Sequence, residues 1–164
     1  MLSVVALLAI VAFAPMSPSA MLDSPSRHVR AMHPHIQQLL REGFQRSPTF
    51  ARLIERIEAS DVIVHIEMPP QLPAGVEGRM LMLPRAHDNR YVRIQIGNGG
   101  TTEDMIALLG HELQHVAEVA AAPYVSNAGD LLAFYERIGK RSGWHQYDTA
   151  EAQEAGRQVR KELA

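Results

Sequence analysis

Two histidines four residues apart, with a glutamate beside the first, stand at His111-Glu112-Leu113-Gln114-His115. On an α-helix, residues i and i+4 lie on one face. The two imidazoles could therefore each present a nitrogen to one ion at about 2 Å. Glu112 is turned roughly 100° from His111 about the helix axis, and a carboxylate of that length reaches a water beside such an ion. The chemistry implied is hydrolysis. Zn²⁺ would lower the pKa of a water toward about 7 and polarise a carbonyl, with Glu112 taking the proton as general base. The flanks suit a buried helix: Leu108, Leu109 and Gly110 precede the motif, Val116 and Ala117 follow it, and no proline interrupts.

The surrounding elements must hold that helix in place. Thr101 and Asp104 stand at capping-box spacing, Glu103 and Asp104 favour the N-terminal end of the helix dipole, and Pro123 stops the run, so a helix is predicted over 101–122. Upstream, Val62 to Glu67 is rich in β-branched residues, Arg79 to Leu83 is a second strand candidate, and Tyr91 to Ile96 alternates cleanly. Pro84 to Asn89 suits a hairpin loop between the last two. Apolar spacing predicts helices over 33–45 and 48–59, the latter with Ser47 as N-cap and Pro48 at the first helical position. Two further helices are expected over 130–140, with Leu131, Phe134, Tyr135 and Ile138 inward, and over 149–163, with Val159 and Leu163 inward. The fold class expected is α+β: a small, mostly antiparallel sheet of about three strands packed with the motif helix and several others.

The stretch around His111 to His115 resembles the zincin metallopeptidases, which carry HExxH on an active-site helix. The resemblance covers roughly Val62 to Glu151 and is motif-specific over 108–117. It implies a sheet ahead of the helix with one antiparallel edge strand lying along the substrate cleft, a role for which Tyr91 to Ile96 is in the right place. It also implies a third metal ligand. The metzincin continuation would need Gly and His where Glu118 and Ala121 stand. A gluzincin-like ligand would be a carboxylate from a later helix, and Asp148 is preferred over Glu151. Against that, Asp148-Thr149-Ala150-Glu151 is itself a capping-box pattern with Asp148 as N-cap. Glu118, seven residues after His111, is about 10 Å away along a straight helix. It reads as a partner holding His115 or as a surface charge.

The rest of the sequence narrows the alternatives. Among 164 residues there is no cysteine and there are eight histidines, so any metal site must use His and carboxylates. A net charge of −2 gives no basic excess for nucleic acid. Glu112 to His115 also satisfies the ExxH pattern of di-iron bundles, but no second ExxH is present. His145, Tyr147, Tyr124 and Tyr135 are candidates to stabilise an oxyanion. His33 and His35 flank Pro34 and read as bland, and His65 reads as a sheet residue. Residues 1–20 contain Val4 to Ala14, an uncharged apolar run of the length of an export signal and shorter than the roughly 20 residues a spanning helix needs. The expected organisation is a signal peptide or N-terminal hydrophobic segment at 1–20, a linker at 21–30 and one metal-binding domain at 31–164. The function expected is a small exported zinc metallopeptidase, periplasmic or secreted, with His111, His115 and Asp148 holding Zn²⁺, Glu112 as base, and a peptide or protein substrate. Contact with a membrane is expected only through an uncleaved N-terminal segment. The competing reading is a zincin-like module that holds zinc or a protein partner without turnover.

Overall fold

The computed structural model describes residues 28–143 and 146–164. The expected signal segment, most of the expected linker, Trp144 and His145 lie outside them. The chain order is β1 (Val29–Ala31), α1 (Pro34–Arg46), α2 (Pro48–Glu58), β2 (Val62–Glu67), β3 (Gly78–Ala86), β4 (Asn89–Ile96), α3 (Thr102–Ala120), α4 (Ala128–Ile138), β5 (Lys140–Gly143), β6 (Gln146–Asp148) and α5 (Ala150–Leu163). Caps fix the helix starts as local chemistry dictates. The Ser47 hydroxyl accepts from Phe50 N–H at the start of α2, and Thr101 and Asp104 form a reciprocal capping box on α3. His33, expected to be bland, caps α1 by accepting from His35 N–H.

The class is α+β, as expected, but the sheet differs. It has four strands in the order β1-β2-β4-β3, with β1–β2 and β2–β4 parallel and only β3–β4 antiparallel. A separate antiparallel hairpin joins β5 and β6. The expectation of a mostly antiparallel, three-stranded sheet is therefore corrected to a mixed one. The chain leaves β2, passes the position next to it, enters at β3 and turns back through β4. That path makes β4 parallel to β2. It also corrects the edge assignment: Tyr91 to Ile96 belongs to β4, which is paired on both sides, and the antiparallel edge strand is β3.

Alternation does the packing. Val62, Val64 and Ile66 of β2 and Val92, Ile94 and Ile96 of β4 share one core with Ile106, Leu109, Leu113 and Val116 of α3. Truncating one of these leucines to Ala would cost about 2–5 kcal/mol. The inward set expected on α4 holds for Phe134 and Tyr135, which are buried, and Leu131 is partly buried against the core. Ile138 is 43% exposed, because α4 ends there and Gly139 is its C-cap. Val159 and Leu163 of α5 are buried as expected. Among the described residues, no helix is long and apolar enough to cross a membrane.

Candidate metal centre

The motif helix α3 packs closely against α5, and glycine on each helix permits it. A Cβ on Gly110 would stand 2.8 Å from Val159 Cγ2, and one on Gly156 would stand 3.3 Å from His111 Cβ. This close approach brings the residue just ahead of α5 to the histidine face of α3. Asp148 Oδ1 is 3.4 Å from His111 Nε2 and 3.6 Å from His115 Nε2. Together the three residues place one donor atom each within 4.8 Å of one another, a set capable of holding a metal ion.

The capping question resolves by one residue. The N-cap of α5 is Thr149, whose hydroxyl accepts from Ala152 N–H at 3.1 Å, and not Asp148 as the sequence pattern suggested. Asp148 ends β6 instead. There Oδ1 accepts from Thr149 N–H at 2.7 Å and Oδ2 from the Gln153 amide at 3.0 Å. Glu151 is exposed and sits beside Thr49 and Gln114, away from the histidines. Glu118 lies within 3.0 Å of His115 Nδ1, also accepts from Thr149 Oγ1 at 2.7 Å and Tyr135 Oη at 3.2 Å, and so stands behind the donor cluster.

These contacts test whether a metal fits. Two ligand atoms about 2.0–2.1 Å from a tetrahedral Zn²⁺ stand roughly 3.3 Å apart, and the two histidine–aspartate separations are close to that. Glu118 on Nδ1 directs the His115 proton to that nitrogen, which leaves the Nε2 lone pair for the ion. Two imidazoles and a carboxylate are a donor set that Zn²⁺ takes. The residues fit.

The electrostatics describe a site organised around shared protons. Burial favours neutral His115, but hydrogen bonds from its ring to Asp148 and Glu118 outweigh burial and raise it to about 9. His111 is lowered, first by burial and then by the charge of His115. Asp148 is held down at about 2, since its bonds to His115 and Gln153 overcome its partial burial. Glu112 is raised to about 7, chiefly by burial, with Asp148 adding to the rise and His115 opposing it.

A cleft of about 1740 Å³ opens onto the cluster. Its walls are β3 from Gly78 to Leu81, the loop from Pro69 to Glu77, α4 at Leu131, Leu132 and Tyr135, and α5 at Gln153 and Arg157. His111, Glu112, His115 and Asp148 form its floor. Of the oxyanion candidates, Tyr135 donates to His115 O and Glu118, Tyr147 lines the cleft with its hydroxyl 3.3 Å from Glu136, and Tyr124 is exposed beside Arg137. His145 lies outside the described residues. Gly78 and Thr149 are the site residues that sequence reasoning missed. Thr149 was visible only as the second member of the capping pattern, and Gly78 carried no signal at all. No protein-family model, curated protein or solved structure matches this chain.

Proposed function

We propose that this protein binds one zinc ion through His111, His115 and Asp148 and uses it to hydrolyse peptide bonds. The observation that carries the reading is the convergence of His111 Nε2, His115 Nε2 and Asp148 Oδ1 beside the Glu112 carboxyl on the floor of one cleft. Zn²⁺ held there would supply Lewis acidity, lowering the pKa of a water and polarising a carbonyl.

The chain's own residues supply the rest. Glu118 fixes the ring of His115 through Nδ1, and Tyr135 and Thr149 fix Glu118. Glu112, raised to about 7, is suited to take a proton near neutral pH and return it to a leaving amine. Along the cleft, Gly97 N–H donates to Glu77 O at 2.7 Å, so Glu77, Arg79 and Leu81 turn their backbone groups toward β4. Gly78, Met80 and Met82 consequently turn theirs to the open edge, where an extended peptide could add as a strand. The apolar segment at 1–20 supports an exported site of action, where such a peptide or protein substrate would be met.

The second reading is a module that holds zinc without turnover. It is favoured by the fact that the three donors and Glu118 account for metal binding with no part played by Glu112. The two readings share the metal and part at the chemistry. Zinc content of the purified protein, with hydrolysis of a mixed peptide library before and after chelation, tests both. About one zinc per chain with chelator-sensitive cleavage supports the hydrolase. Zinc without cleavage leaves the binding module, and no zinc sinks both.

A further inference from the structure

The open edge of β3 bears directly on Glu112. That side chain is 5% exposed, and its carboxylate takes no hydrogen bond from the described residues. Packing and the charge of His115 hold it. The first residue of β3 lies against it: a Cβ built on Gly78 would stand 2.5 Å from Glu112 Oε1 and 3.1 Å from both Glu112 Cδ and Leu108 Cδ1. Real Cβ atoms essentially never approach an oxygen to 2.5 Å. Gly78 does not adopt a left-handed φ, so its backbone conformation does not demand glycine. Glycine ordinarily weakens a strand, and one often marks a place where another group comes close. Here that group is the carboxylate.

We infer that Gly78 is a positioning residue for Glu112: the missing side chain is the slot that keeps the carboxylate over the floor of the cleft. The inference rests on Glu112 being the base of the proposed hydrolysis. Any side chain at Gly78 would force Glu112 to rotate away, and a displacement of about 1 Å at a reacting group can cost about 100-fold in rate. None of the three atoms nearest the Gly78 Cβ position belongs to His111, His115 or Asp148, so the donors are expected to stay in place.

The test is a double-mutant cycle of Gly78→Ala and Glu112→Ala on the full chain, read by thermal midpoint and zinc content, with kcat and KM for Gly78→Ala. Gly78→Ala should lower the midpoint in the native background. It should leave the midpoint unchanged or raise it with Glu112→Ala, where alanine in a strand is no longer penalised. Its kcat should fall about 10- to 100-fold with KM and zinc content unchanged. Equal destabilisation in both backgrounds would overturn the inference, as would coupling without loss of kcat. Should Gly78→Ala fail to fold, the double variant is expected to fold, and an unfolded double variant also overturns it. If the native protein binds zinc but turns nothing over, the hydrolase reading fails while the midpoint cycle still decides whether Gly78 seats Glu112.

Discussion

The hydroxyl of Thr149 donates to Glu118 Oε1 at 2.7 Å while accepting from Ala152 N–H at 3.1 Å. One side chain thus starts α5 and braces the carboxylate that orients His115. It also releases Asp148 from capping duty, so that Asp148 can face the two histidines. Thr149→Val should remove both bonds, lowering stability by about 1–2 kcal/mol and weakening zinc binding about 10-fold. Thr149→Ser should retain both. Denaturant melts and competitive zinc titration check the pair of effects. A Val variant with native zinc affinity would mean that Glu118 needs no brace.

Glu118→Gln should weaken zinc binding by about 10- to 100-fold while leaving all three donors present. The neutral amide cannot stabilise the charge that His115 shares with the ion, and it can present N–H where a carboxylate only accepts. Titration with a fluorescent zinc competitor measures the loss. Unchanged affinity would reduce Glu118 to a structural residue.

Zinc affinity should rise with pH across the neutral range. Without metal, His115 is raised to about 9 by Asp148 and Glu118 against the effect of burial, so below that pH the ion must displace a proton. The apparent affinity should fall about tenfold per pH unit from this group alone as pH drops from 8 to 6. Calorimetry in buffers of different ionisation enthalpy should show about one proton released per zinc at pH 7. Binding that releases no proton at pH 7 would contradict the raised pKa of His115.

Arg90 fastens the far end of the motif helix. Its side chain is fully buried; Nη1 donates to the carbonyls of Val119, Ala122 and Val125 at 2.8, 2.8 and 3.0 Å, and the guanidinium bonds both oxygens of Asp61. Arg90→Met should cost about 1–3 kcal/mol, because it removes the buried side-chain bonds to the carbonyls of Val119, at the end of α3, and of Ala122 and Val125 just beyond it. Arg90→Lys should recover only part, lacking the planar fork. Chemical denaturation measures both, and a Met variant within 1 kcal/mol of native would contradict this account.

Stability should also fall in acid through Glu162. Burial raises its pKa, but hydrogen bonds from Ser47, Gln158 and Thr49 overcome that and hold the carboxyl at about 2, below its ordinary 4.5. A depressed carboxyl contributes stability above its unfolded pKa and loses it as pH falls toward the folded one. With solvent screening the contribution is about 1 kcal/mol. Glu162→Gln should therefore melt below the native protein at pH 6 and match it near pH 2. A gap that persists in acid would contradict this role.

What the sequence disclosed follows the range of the interactions. The motif helix was legible because its signals are local: a capping box at Thr101 and Asp104, an apolar period, and Pro123 beyond its end. So was the preference for Asp148 over Glu151 as the carboxylate that clusters with both histidines, although the N-cap of α5 is Thr149, one residue later than the capping pattern implies. Strand order was not legible. β4 carries the clean alternation, yet which strand lies at the edge depends on how distant segments pair, and alternation does not encode pairing. β1, β5 and β6 were missed because three or four residues hold too little pattern to recognise. Gly78 was invisible for a related reason: its importance lies in the 34-residue separation from Glu112, and a lone glycine says nothing of what approaches it.

In the proposed function, Glu112 performs chemistry at a metal site it does not build. Zinc content and peptide hydrolysis of Glu112→Gln, measured side by side with the native protein, test it most directly. About one zinc per chain is expected in both proteins, with cleavage by the native protein alone. Cleavage by the Gln variant at the native rate, or loss of zinc from it, would contradict the claim.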